Sequence, residues 1–222
     1  MDDPARLVSA FAGVSPAVSN NGISVHGNSP NLLQWRLEDV EIPNPNHFAD
    51  IATLGGGVLS SLSSNVLGNS DFFTGAFPSE YGNAVSGVFD MKLRNGNNQK
   101  YENTFQAGIL GIDFASEGPL SKKSNSSYIF TYRYSTTGLL KHIGMDLGGK
   151  FDYQDLNFKF NFPTKNAGTF SVWGTSLIDK FETEYEDIED WETNGDRSAA
   201  EAKQYMAAGG VSHRYFFSND AV

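Results

Sequence analysis

The chain has 222 residues, enough for one or two domains, with 39% hydrophobic and 13% aromatic residues and 23 glycines. It carries no cysteine, which excludes a disulfide framework and any thiolate metal site, and its formal net charge of −10 lacks the basic footprint that a nucleic-acid partner needs. No basic n-region followed by an apolar h-region opens the sequence, and no run approaches the roughly 18 apolar residues of a membrane helix.

Asp3 and Pro4 predict a helix start, with Asp as N-cap and Pro in the first turn. Leu7, Val8 and Phe11 continue it at helical spacing, and Gly13 stops it. Residues 23–26 read as a short strand closed by the Gly27-Asn28-Ser29-Pro30 turn. Leu33, Trp35 and Leu37 alternate with Gln34, Arg36 and Glu38, so 32–37 is predicted to be a half-buried strand. Glu38-Asp39 turns the chain, a better account of this carboxylate pair than a glycosidase dyad. Residues 40–42 resume a strand, and Pro43-Asn44-Pro45-Asn46 makes a rigid loop because each proline fixes φ and removes a donor. Residues 55–67 fit either a short helix or a loop.

The stretch 69–96 places Gly75, Gly82, Gly87 and Gly96 among Phe72, Phe73, Phe77, Tyr81 and Phe89. Over 87–94, Val88, Asp90, Lys92 and Arg94 face one way and Phe89, Met91 and Leu93 the other, the period of a strand with one apolar face. No catalytic residue types converge here, and the stretch reads as a structural joint.

From Tyr101 the character changes. On 155–162, Leu156, Phe158, Phe160 and Phe162 oppose Asp155, Asn157, Lys159 and Asn161. On 127–135, Tyr128, Phe130, Tyr132 and Tyr134 oppose Ser127, Thr131, Arg133 and Ser135, with Ile129 as the exception. Soluble sandwich strands alternate too, but an aromatic-rich face suits a lipid-facing barrel strand, which gives no helix-type hydropathy signal. Residues 168–178 and 203–217 are long enough to span and alternate less cleanly, while 104–107 and 112–116 are short. The connections 118–126 and 163–168 are brief and 136–151 and 179–201 are long, the parity of a barrel with tight periplasmic turns and long outer loops.

The segment TGAFPSEYGNAVSGVFDMKLR resembles the pattern with which TonB-dependent outer-membrane receptors close their plug domain. Upstream, DPARLVSAFAGVSP, SVHGNSPNLLQWRLEDVEIPNPNHF and the serine-rich 55–70 resemble the same plug in the form common among Bacteroidetes-type receptors. The match is co-linear over 2–94, and the remainder resembles the first strands of the family's barrel. One departure is Thr74, where many members carry an arginine. The resemblance implies an α+β plug domain (1–96) followed by antiparallel transmembrane strands (97–222), about six, of a barrel of the roughly 22-stranded type. Six strands cannot close a barrel, and an open edge is not tolerated in a bilayer. The expectation is therefore a fragment without the signal peptide, the TonB-contacting segment and the closing strands. The implied function is ligand binding outside and active import across the outer membrane. The plug gates the barrel, energy comes from the TonB complex, and lipid and a surface lipoprotein are possible partners. No cofactor and no enzymatic activity are implied. The alternative is a soluble, surface-exposed β-rich binding or adhesion module, which requires the aromatic faces to pack inward.

Plug–barrel joint candidates are Gly75, Tyr81, Gly82, Gly87 and Arg94. Glycine allows close backbone approach or positive φ, and a buried Tyr81 hydroxyl needs a partner. Ligand-binding candidates are Asn46 and His47 in the Pro-Asn loop and Trp191 in the outer loop 179–201, where Trp191 reads first as a loop anchor. That loop holds ten acidic residues against Lys180 and Arg197. Its carboxylates suit a hard cation such as calcium, but no EF-hand spacing is present and self-repulsion in a solvated loop accounts for it. His26, His47, His142 and His213 show no metal-ligand spacing. Gly55-Gly56-Gly57 lacks the Lys-Ser/Thr of a phosphate loop, and no Gly-x-Ser-x-Gly elbow occurs.

Overall fold

The structure, a computed structural model, describes residues 4–8, 10–16, 21–51, 55–109, 111–121, 123–140, 149–183 and 199–217. Helix α1 (Pro4–Val8) is shorter than the apolar spacing predicts. Val8 is buried, but Phe11 lies beyond the helix and rests exposed against the Phe72 ring. Strands β1 (Val14–Pro16) and β2 (Ile23–Val25) pair antiparallel, and a 3₁₀ turn at Pro30–Leu32 leads into β3 (Leu33–Leu37) and β4 (Val40–Ile42). Glu38 and Asp39 both take positive φ, 51° and 71°, in the two-residue hairpin joining β3 to β4. The Pro-Asn loop ends in β5 (Asn46–His47), which pairs with β6 (Leu59–Ser60), so part of 55–67 is a short strand rather than a helix.

Strands β7 (Asp71–Phe73) and β8 (Gly87–Met91) complete a four-stranded sheet of order β4-β3-β8-β7, in which β3 and β8 run parallel. Central position explains why burial departs from the alternating pattern: every residue of β8 is buried, and Gln34 of β3 is buried with its Nε2 donating to Glu41 Oε2 and the Gly82 carbonyl, both at 3.0 Å.

The second half is one antiparallel meander of six strands in sequence order: β9 (Glu102–Ala107), β10 (Gly111–Pro119), β11 (Ser127–Ser135), β12 (Lys150–Pro163), β13 (Thr169–Thr183) and β14 (Ala200–Arg214). A short helix α2 (Thr137–Leu140) follows β11. Strands β12 to β14 have 14 or 15 residues, more than the roughly 9–11 that a tilted membrane strand needs. The 108–110 connection breaks the loop parity. It is short, yet it lies at the end of the sheet where the long connections emerge, since the Thr136 hydroxyl donates to the Gly108 and Ile109 carbonyls at 3.4 and 3.1 Å. No described helix is long and apolar enough to cross a membrane.

The faces of the meander are inverted relative to a soluble protein. The polar residues of β11 and β12 are buried, Thr131 at 2% and Asn157 at 0% exposure, whereas Tyr134 and Phe114 stand 50% and 40% exposed. The buried polar face lies against residues 38–94. Ile129, the apolar exception of β11, points to that same side and joins Trp173 of β13 in a cluster with Leu62, Val66, Phe89 and Leu93. A sandwich would turn the rings inward; here they face out.

Candidate functional site

Along β12, successive inward residues each hold a different part of the N-terminal half. Lys159 Nζ donates to Glu38 Oε1 at 2.9 Å and to the Leu93 carbonyl at 2.8 Å. Asn157 Nδ2 donates to the Ser61 carbonyl at 2.9 Å, and its Oδ1 accepts from the Thr175 hydroxyl at 2.7 Å. Asp155 takes the Nε2 of His47 at 2.8 Å. These side chains occupy positions two apart on one strand, so strand periodicity alone aims all three at the same surface.

His47 is fully buried and sits between two carboxylates, with Nδ1 2.5 Å from Asp179 Oδ1 and Nε2 2.8 Å from Asp155 Oδ2. An ionised carboxylate only accepts, so two of them flanking one ring are both satisfied only when both ring nitrogens donate, as in the imidazolium. The other Asp179 oxygen accepts from Phe48 N at 2.8 Å. Arg133 of β11 donates through Nε to Asp155 Oδ2 at 2.7 Å and through Nη2 to the Ser60 carbonyl at 2.6 Å. Tyr153 covers the imidazole face at 4.7 Å between ring centroids, and Asp113 lies opposite Arg133 in the β10–β11 register. Burial alone would push the His47 imidazole down, but the hydrogen bonds and charges of Asp155 and Asp179 raise it above its ordinary value of 6.5. His47 and Arg133 meet Asp155 and Asp179 in a buried cluster with Asp113 beside it, an arrangement that tolerates loss of a partner poorly.

Arg94 makes a bidentate pair with Glu117 of β10, at 2.8 and 2.6 Å, and its Nε donates to the Asn65 carbonyl at 2.6 Å. Asn97 N also donates to Glu117, at 2.7 Å. Between them Gly96 lies so close to the Tyr128 carbonyl that a Cβ there has no room.

The other predicted joint residues act inside the four-stranded sheet. Tyr81 is buried, donates its hydroxyl to Asp90 Oδ2 at 3.0 Å and carries the Arg36 guanidinium over its ring at 5.2 Å. Burial, then the bond to Asp90, pushes its pKa up to about 12. Gly87 is tightly packed, since an added Cβ would stand 3.0 Å from Leu33 Cδ1 and Val25 Cγ2. Gly75 and Gly82 have open space around the Cβ position, and the positive φ values of this stretch fall on their neighbours Ala76 and Asn83. Close approach and special φ therefore do not explain these two glycines, contrary to the expectation from sequence.

Of the ligand candidates, Asn46 and His47 are fully buried, and Asn46 accepts at its carbonyl from Gln204 Nε2 of β14 at 3.3 Å. Solvent reaches neither residue in this arrangement. Trp191, most of the acidic loop and His142 lie outside the described residues. A cleft of about 240 Å³ opens beside the Pro-Asn loop, lined by Trp35, Glu41, Pro43, Asn44 and Asp50, small against the roughly 300–1,000 Å³ of ligand sites. Among the described residues no group of His, Asp and Glu is arranged to hold a metal ion. Sequence reasoning missed Glu38, Arg133, Asp155, Asp179 and Glu117 as interface residues. Four of them stand on strands, where a charge at an inward position was the available signal.

No protein-family model and no curated protein matches the chain. Solved structures do. The siderophore receptor PirA from Acinetobacter baumannii is 16% identical with a TM-score of 0.54, over 81% of this chain and 29% of that one. The outer membrane transporter YddB from Escherichia coli is 15% identical with a TM-score of 0.54, over 96% and 35%. A variant of the ferric enterobactin receptor PfeA from Pseudomonas aeruginosa is 12% identical with a TM-score of 0.53, over 81% and 31%. At these identities the likeness is one of fold, and the chain spans about a third of the length of each.

Proposed function

We propose that this chain is the gated part of a TonB-dependent outer-membrane receptor, in which residues 1–96 form the plug and 97–222 contribute the first strands of the barrel. The observation that carries the reading is the inverted sheet: aromatic side chains outward, a hydrogen-bonded polar face inward, and residues 38–94 seated on that polar face. Lipid tolerates the outward face, and backbone groups within lipid must be satisfied by neighbouring strands. The free edges of β9 and β14 would then be paired by further strands. Because the plug is held by many buried polar bonds, ligand binding shifts it only by its differential affinity for the two states. An energy source such as the TonB complex is therefore required. Two of the similar structures are named as receptors for a siderophore or for ferric enterobactin, so a ferric siderophore is the first ligand class to test. The soluble binding-module reading needs the rings turned inward.

The test is to purify the chain in buffer and in detergent micelles and record circular dichroism and tryptophan emission. Native β-type dichroism with blue-shifted emission in micelles alone is the expected result. A monodisperse protein with blue-shifted emission in plain buffer overturns the reading.

A further inference from the structure

We propose that His47 is a proton-loaded latch. Its imidazolium, clamped between Asp155 and Asp179, holds the 43–51 loop on the six-stranded sheet, and loss of the proton releases that loop. Its service as a latch on a transport plug rests on the uptake reading above; its chemistry does not.

The geometry makes the proton indispensable. Asp155 and Asp179 reach opposite nitrogens of one ring, from adjacent strands, at 2.8 and 2.5 Å. A neutral imidazole has one donor and one acceptor, so one buried carboxylate would then face a lone pair. The charged and titratable groups around the ring are Asp113 on β10, Arg133 on β11, Tyr153 and Asp155 on β12 and Asp179 on β13, while β14 contributes the neutral Gln204. Arg133 is committed to Asp155 and the Ser60 carbonyl. Deprotonation therefore leaves Asp179 with the Phe48 N–H as the bond this loop still offers it. The sign follows from the raised titration of His47. The clamp is fully present below the ordinary histidine range and is lost as pH rises through the folded-state value.

The other contacts of this surface do not share that dependence. Arg94 with Glu117 and Lys159 with Glu38 contain no imidazole. Release is therefore local: the 43–51 loop lets go while residues 92–97 stay attached.

Imidazole C2 hydrogen exchange, followed by mass spectrometry on the whole chain in micelles between about pH 6 and pH 10, reads the latch without any substitution. His47 is expected to titrate above its ordinary value of 6.5; a midpoint at or below that value overturns the proposal. Proteinase K cleavage within 43–51, normalised to a cut elsewhere in the chain, is expected to rise about tenfold across the His47 midpoint. In His47→Asn the cut is fast at every pH. A native cleavage ratio that stays flat, or the same rise in His47→Asn, overturns it as well. A flat profile from a chain that enters micelles removes the latch and leaves the uptake reading. A chain folded without detergent removes the uptake reading, and the imidazole titration still decides the latch.

Discussion

Arg94 meets Glu117 through two parallel N–H···O bonds, a fork that lysine cannot reproduce. Arg94→Ala is expected to lower stability in micelles by about 1–3 kcal/mol, toward the low end because Arg94 is about a third exposed. Arg94→Lys should recover part of it, read as the urea midpoint of tryptophan emission; full recovery would mean that charge alone suffices. Tyr81→Phe removes the bond to Asp90 and should lower stability by about 1 kcal/mol. Because the Tyr81 hydroxyl is raised from 10.0 to about 12, the folded state keeps its proton longer than the unfolded chain. Native stability is thus unaffected below pH 10 and falls between 10 and 12, and the difference between native and Tyr81→Phe profiles should shrink in that window. A constant difference would contradict the burial of the hydroxyl. Arg94 and Tyr81 could be named from sequence because each sits in a recognisable motif. His47 stood out only as a ligand-binding candidate in the Pro-Asn loop, and neither its place against the sheet nor its partners could be named. Asp179 lies 132 residues away, and nothing in a local window announces that a Pro-Asn loop will meet the fourth and fifth strands of a distant sheet.

At the scale of elements, period-2 alternation made β11 and β12 legible, including which residues share a face. It could not say which face is buried; aromatic content and loop lengths carried that. The weak spots were the strands with few large residues. Strands β9 and β10 are longer than the short runs 104–107 and 112–116, since pairing with β11 extends β10 through Gly118 and Pro119, whose side chains announce no strand. Two substitutions on β12 separate its faces. Phe158→Arg, on the outward face, should destabilise the protein in micelles, toward the roughly 2–4 kcal/mol that a charge costs on a lipid-facing strand. Asn157→Leu, one residue away, should also destabilise, although it adds apolar surface, because the Ser61 carbonyl and the Thr175 hydroxyl lose their partner. Unfolding midpoints in micelles test both, and a stabilising Asn157→Leu would argue against the polar face being closed from water.

Across the whole molecule, protection should follow the strand order. Strands β10 to β13 are paired on both sides, and Ile129 of β11 and Trp173 of β13 join β3 and β8 in the shared apolar cluster, whereas β9 and β14 each have one neighbour. Amide hydrogen exchange in micelles should be slowest in β8 and β12 and fastest in β9. Equal protection in β9 and β12 would require a partner strand on the β9 edge.

The bonds that join the two halves differ in kind from those within the meander. Each strand from β9 to β14 pairs with its immediate neighbour in sequence, so the sheet can zip by short loop closures. His47 to Asp179, Ser61 to Asn157 and Leu93 to Lys159 close spans of 132, 96 and 66 residues. Closures of that length are slow to form. A meander that zips first would pair Arg133 with Asp155 across β11 and β12 but leave Asp179 and Lys159 waiting for the N-terminal half. Assembly order thus becomes a quality check: a chain whose first half misfolds leaves Asp179 without His47 and Lys159 without Glu38, and the sheet stays hydrated and loose instead of setting into a wrong form.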